Sequence, residues 1–405
     1  MKTFRHRKIP LSAFQGTSRG NDIVLSGATT PLPTTLSTLR HLHSVTPTGG
    51  KETNVKFSWE KLTPAADPEK GFPCKRSSHG LSLLQNGKLL ILYGGEEVAR
   101  TPMDDLQSTW AVEQKNDGTW SWRCIDASPT PPPRVGHAQC VYNDSTIYAF
   151  GGRAGIQMEE AAMNDLWRLD CSKEPKWSLV QPDLVRGDPP PEARSFHKML
   201  CVGSFLYVFG GCGSDGRLAD LHQFDITNNT WKVLPSSSLS GRGGANFIPF
   251  SSQTLLGVVA GFCGEESNDG QCFDTSTEKW TEAKQASELL TGLRPRSVCV
   301  STSFPSLGVA IIFGGEVDPS DKGHEGAGGF ENDIVLLDET DGTYIDTIAG
   351  DFDSKVWPET RGWSDGAAIE DARNGQGKLY LYGGLSGNDS DPKRLSDLWC
   401  LNIQK

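Results

Sequence analysis

Short apolar runs recur along this chain, and each ends in a glycine pair or its remnant. They are KLLILYGG at Gly94-Gly95, TIYAFGG at Gly151-Gly152, FLYVFGG at Gly210-Gly211, LLGVVAG at Gly261, VAIIFGG at Gly314-Gly315 and KLYLYGG at Gly383-Gly384. Apolar runs this short, bounded by turn residues, predict buried strands rather than helices. Their sixfold recurrence, at spacings of about 50 to 70 residues, predicts a repeat architecture.

Each unit carries the same companions. An arginine precedes the glycines: Arg76, Arg134, Arg194, Arg242, Arg296 and Arg361. After them comes a strand-like segment with an aspartate near its head, at Asp165, Asp220, Asp269, Asp333 and Asp397, with Asp105 in a looser first copy. An aromatic segment closes the unit at Trp120 and Trp122, Trp177, Trp231, Trp280 and, in the fifth, Tyr344. This order predicts a four-stranded antiparallel blade. Glycines let the chain turn where blades crowd an axis, and the outer aromatic fills the wedge that widens with radius.

The sixth unit ends at Leu401 without an aromatic outer strand, while FSWEKL around Trp59 has that form and precedes the first blade. Trp59 is therefore expected to complete the last blade and close the ring, which removes exposed sheet edges. The predicted fold is all-β, a six-bladed propeller over residues 53–405.

Composition separates the remainder. The first 52 residues hold seven Lys or Arg against Asp22 and Glu52, a charge of +5, whereas the rest of the chain carries −16. With stretches such as TTPLPTTLSTLR, residues 1–52 read as a disordered basic arm or an organelle transit peptide. The overall charge of −11 argues against a nucleic-acid partner. No apolar run approaches the roughly 20 residues of a membrane span and no secretory signal is evident, so the expected location is cytoplasmic, or organellar if the arm is a transit peptide. Ten cysteines without C-x-x-C spacing support neither a disulfide nor a zinc framework; reduced thiols acting as small apolar residues are expected.

The glycine pairs and aromatics resemble the kelch repeat, and the resemblance covers residues 55–404. A kelch-type propeller hosts scaffolds and enzymes alike, so function must come from residues that break the repeat. His79, His137 and His197 belong to it, all in R-x-x-H, and are expected to be structural hydrogen bonders. His324 lies in a loop that no other unit copies, GGEVDPSDKGHEGAGGFENDI, which gathers Glu316, Asp318, Asp321, His324 and Glu325. Carboxylates with one imidazole suit Fe(II) or another divalent first-row ion. The same composition also suits a solvated acidic loop.

That loop is similar to one in plant nitrile-specifier, epithiospecifier and thiocyanate-forming proteins, which carry an E-x-x-x-D-x-x-x-H iron motif followed by glycines. Glu316 and His324 match it, but Ser320 stands at the aspartate position. The resemblance therefore implies Fe(II) on Glu316 and His324, with Asp318 or Asp321 in place of the missing carboxylate, or a site weakened or lost. RSSHG, FGGR, EARSFH and GRGGANF resemble further landmarks of that family, and by position Arg153 matches the arginine associated with the substrate's sulfate. A guanidinium binds an oxyanion bidentately and keeps its charge; an ordinary salt bridge is the other reading of Arg153. The function implied is a specifier-like, iron-dependent lyase acting on a small anionic sulfur compound of the glucosinolate-aglycone type. The alternative is a non-catalytic scaffold that offers a protein partner its mouth.

Overall fold

The pairing of the two middle strands slips at the glycine pairs. The shift falls between Phe150 and Gly152, Phe209 and Gly211, Val259 and Gly261, Phe313 and Gly315, and Tyr382 and Gly384. Both glycines of a pair have positive φ, as at Gly151 (62°) and Gly152 (99°), a conformation costly to any residue with a Cβ. A Cβ at Gly94 would also stand 2.8 Å from a carbon of the His137 ring.

The computed structural model describes His43–Ser44 and residues 55–405, apart from 105–107, 155–161 and 352–354. The strands form six antiparallel sheets. Blade one comprises Gly80–Leu84, Leu89–Tyr93, Thr109–Gln114 and Trp120–Cys124; blade two, Ala138–Tyr142, Thr146–Arg153, Ala162–Asp170 and Lys176–Val180. Blade three comprises Lys198–Val202, Phe205–Cys212, Arg217–Asp225 and Thr230–Leu234; blade four, Asn246–Phe250, Leu255–Phe262, Glu266–Asp274 and Lys279–Trp280. Blade five comprises Val300–Phe304, Val309–Asp318, Gly329–Asp338 and Tyr344–Ile348. In blade six, Asp365–Asp371, Gln376–Asn388 and Asp391–Gln404 are completed by Lys56–Leu62, where Trp59 pairs with Leu401. Closure by the N-terminal strand is thus as the sequence predicts. His43–Ser44 pairs with the same strand, and the rest of the basic arm lies outside the described residues.

The core consists of seams between blades. Each outer tryptophan reaches the aromatic residue that precedes a glycine pair in the blade before it: Trp177 lies 4.8 Å from Tyr93, Trp231 5.4 Å from Phe150, Trp122 5.5 Å from Tyr382 and Trp59 4.9 Å from Phe313, between ring centroids. The three R-x-x-H histidines meet the same rings edge-on, His137 on Tyr93, His197 on Phe150 and His79 on Tyr382. They also reach hydrogen-bonding partners, His79 and His197 on the backbone of Tyr382 and Phe150, and His137 on Gln139 at 3.4 Å. Burial holds His79 and His137 neutral, at about 3.

The repeated arginines and aspartates join into buried forks. Arg134 meets Asp165 through Nη1 (2.8 Å) and Nη2 (2.9 Å), and Arg194 with Asp220, Arg242 with Asp269, Arg296 with Asp333 and Arg361 with Asp397 repeat the pairing. In all six blades the arginine Nη1 also donates to the carbonyl of the first residue of the glycine pair or its remnant, Gly94, Gly151, Gly210, Ala260, Gly314 and Gly383. The fork therefore satisfies a backbone group that the ladder leaves unpaired. Asp105 lies outside the described residues.

Candidate functional site

Two residues after each repeated arginine, the chain turns left-handed and touches the next blade. Ser78, Gly136, Phe196, Gly244, Val298 and Trp363 all have φ between 49° and 61°. Their amides and carbonyls close a ring: Gly136 donates to Ser78, Phe196 to Gly136, Gly244 to Phe196, Val298 to Gly244, Trp363 to Val298 and Ser78 to Trp363, at 2.6 to 3.0 Å. This collar bounds one end of a channel cavity of about 450 Å³ between the innermost strands, whose polar lining includes Ser82, Gln139, Lys198 and Asp365. Phe196 and Trp363, from opposite blades, meet across the collar with centroids 5.3 Å apart and planes at 81°.

At the collar, the residue after each glycine pair bridges to the residue after the arginine: Glu96 to Ser77, Arg153 to Val135, Cys212 to Ser195, Phe262 to Gly243, Glu316 to Ser297 and Leu385 to Gly362. Arg153 and Glu316 thus occupy the same repeat position on blades two and five. The sequence reading missed Arg217. It pairs across the strand with Cys212, and its guanidinium lies 4.5 Å from the Phe262 ring centroid. Burial raises the Cys212 thiol, and the charges of Arg217 and Arg153 oppose the rise. Glu266 was missed as well. Ser297 Oγ donates to its Oε1 at 3.1 Å, while Oε2 is buried without a partner. Burial, aided by the Glu316 charge, pushes Glu266 up to about 8 against the opposing Ser297 hydrogen bond and Arg217.

The expected loop is an extension of the blade-five hairpin. Glu316 pairs with Phe330 and Asp318 with Gly329, and Gly323–Glu325 forms a short 3-10 turn. Ala327 and Phe330 pack on Leu385 and Trp363, which folds the hairpin over the collar. Glu316 is buried. Burial raises its carboxyl to about 7; the amides of Ser320 and Gly328 lower it, and the charges of Asp389 and Asp318 raise it. Ser320 Oγ donates to Asp389, at the tip of the blade-six hairpin. Asp318 and Asp321 are exposed, and the His324 side chain lies outside the described residues.

As the side chains stand, Ser320 brings a second carboxylate, Asp389, to the place of the family aspartate. Among the described residues, however, no three His, Cys, Asp or Glu side chains converge as metal ligands. The described donors alone do not make an Fe(II) site.

Comparison with known proteins follows the same lines. The KLHDC2/KLHL20/DRC7 Kelch-repeats domain family matches residues 114–315. An N-(sulfonatooxy)prop-2-enimidothioate sulfolyase of Thlaspi arvense is 29% identical over 335 residues, 77% of this chain and 89% of that protein. Adagio-like protein 3 of Oryza sativa subsp. japonica is 31% identical over 64% of this chain, and the human leucine-zipper-like transcriptional regulator 1 is 28% identical over 61%. The matched part spans only 40% and 28% of those two relatives. The solved structure of YjhT superimposes with a TM-score of 0.58 at 15% identity, covering 82% of this chain and 98% of that one, a likeness of fold alone. With six blades, the arginine and glycine repeat and these matches, the chain is a kelch-repeat β-propeller that resembles the plant specifier proteins.

Proposed function

We propose that this protein is a specifier-like lyase that binds a small anionic sulfur compound at the collar. The observation that carries this reading is the placing of two arginines at the collar on neighbouring blades, Arg153 just after its glycine pair and Arg217 across the strand from Cys212, which holds the position of Arg153 in the next blade. Two such groups suit the sulfate of an activated thiohydroximate, because both keep their charge and stabilise the anion as it departs. Glu266 supports the same reading. At about 8 it carries a proton at neutral pH, so it adds no second negative charge beside the arginines. Phe196 and Trp363 supply an apolar floor for the side chain of the substrate.

In this proposal Fe(II) would be held by Glu316 and His324 with a carboxylate from Asp318, Asp321 or Asp389, and it would supply Lewis-acid chemistry at sulfur. The test is an assay with a glucosinolate and a glucosidase, with and without ferrous iron. Wild type is expected to shift the products toward nitrile or thiocyanate, and Arg153→Ala and Arg217→Ala to reduce the shift at least tenfold. An unchanged product distribution with wild-type protein and iron sinks the assignment. The second reading, a non-catalytic interaction scaffold, draws on the kelch-repeat relatives and on exposed Leu184 and Val185, and it is the reading that such a result would leave.

A further inference from the structure

The inner strands of blades two and three bring two thiols together. Along Ala138–Tyr142, Gln139 turns toward blade one, where its amide reaches Ser82, while Ala138, Cys140 and Tyr142 turn toward blade three. Along Lys198–Val202, Met199 and Cys201 turn back into the same cluster. Cys140 and Cys201 pack against the same cluster in the seam, both are half-buried, and both line the channel cavity. Cys201 also lies 3.6 Å from the Gly203 carbonyl, near the end of its strand away from the collar.

We propose that Cys140 and Cys201 form an oxidisable thiol pair, which a hydroperoxide entering the channel closes into a disulfide joining blades two and three. Two arguments support it besides position. Facing β-strand parity points both Cβ atoms into one seam, as a disulfide requires. The two thiols are also unequal: burial holds Cys140 up, whereas the hydrogen bond from Cys140 pulls Cys201 down. The lower member is the nucleophile, because the thiolate reacts. Its sulfur attacks one peroxide oxygen, the O–O bond breaks, and Cys201 becomes a sulfenic acid as water or an alcohol leaves. The Cys140 thiol then attacks that sulfur, the S–S bond forms, and a second water leaves. Two thiols thus supply the two electrons that reduce one peroxide. Scattered cysteines in a sequence give no hint of this, since the partners come from different repeats at offset strand positions.

The experiment treats the reduced full chain with stoichiometric hydrogen peroxide, then counts thiols under denaturing conditions and maps tryptic peptides without reduction. The expected result is a loss of two thiols and a linked pair of peptides, residues 135–153 with residues 199–217, reversed by dithiothreitol. Because the second peptide also contains Cys212, its fragment ions must place the link at Cys201. Cys140→Ala and Cys201→Ala should each abolish the link, and closure in wild type should raise the urea midpoint. Retention of all ten thiols, a link between other cysteines, or oxidation to sulfinic acid with no link would overturn the proposal.

Discussion

Phe196 and Trp363 stack edge to face across the propeller axis, and both do so from a left-handed backbone, φ 55° and 58°. The contact and the strain belong to the same residues. A left-handed conformation costs a residue with a Cβ about 1–2 kcal/mol, a cost that glycine escapes. Trp363→Ala loses the ring and keeps the strain, whereas Trp363→Gly loses both. In urea denaturation the glycine variant is therefore expected to be the more stable of the two, by about 1 kcal/mol. Equal or reversed stabilities would show that the collar imposes no strain at this position.

The buried forks predict a larger effect. The Arg194 side chain is fully buried and binds both oxygens of Asp220 and the Gly210 carbonyl. Arg194→Ala takes the donor from Asp220 Oδ1 and the Gly210 carbonyl and leaves Asp220 Oδ2 with His222 alone, and breaking one partner of a buried pair costs about 3–5 kcal/mol. Arg194→Lys, which keeps the charge and loses the fork, should recover only part of that stability. Chemical denaturation of both variants checks the order, and a lysine variant as stable as wild type would reduce the fork to a point charge.

Much of this scaffold is legible in the sequence because it repeats. Gly210, Arg194, Asp220 and Trp231 each have counterparts in other units, and a period turns local composition into a fold. That the arginine and aspartate pair with one another is not legible, since Arg194 and Asp220 sit on separate elements of the blade. The candidate site is legible only in part, for a related reason. It consists of single positions contributed by different blades, so Arg217, Glu266 and Asp389 share no local motif. One signal was present. Lining up the residues after the glycine pairs gives Glu96, Arg153, Cys212, Phe262, Glu316 and Leu385, and charge at a position flanked by buried strand marks the face where the repeat is broken. The nature of the Glu316 loop was equally hidden, because its strand pairing continues through residues that read as polar loop.

Ring closure through the N-terminal strand gives a third test. Trp59 is 8% exposed and packs within 6.4 Å, centroid to centroid, of Phe313, Trp357 and Trp399, so it joins blades five and six as well as the chain ends. Trp59→Ala should cost about 3–5 kcal/mol, the range for removing a large buried aromatic. A chain starting after Leu62 should do worse, since the edge of Asp391–Gln404 loses its partner and becomes a template for other chains. Size-exclusion chromatography should show oligomers for the truncation and a monomer-sized peak for the point variant. A monomeric, equally stable truncation would refute closure by this strand.

The neutral histidines set the response to acid. His79 and His137 are fully buried with values near 3, and His197 is also held well below its ordinary value of 6.5 by burial, so the folded chain keeps all three neutral where the unfolded chain takes up protons. Below pH 6.5 the unfolded state thus binds more protons, and stability falls with pH until the folded values are reached. Each imidazole accounts for about 2 kcal/mol between pH 7 and pH 5. Glu266 and Glu316 act in the opposite sense, because raised carboxyls bind protons in the folded state between 4.5 and about 7 or 8, so their stabilisation grows as pH falls. The two trends separate by mutation. In His137→Asn the drop in unfolding free energy between pH 7 and pH 5 should shrink by about 2 kcal/mol, even though the variant is less stable at pH 7. In Glu266→Gln the same drop should deepen, because a stabilising proton uptake has been removed. Urea titrations at the two pH values measure both, and a His137→Asn drop equal to that of wild type would mean that this imidazole is already protonated in the folded protein.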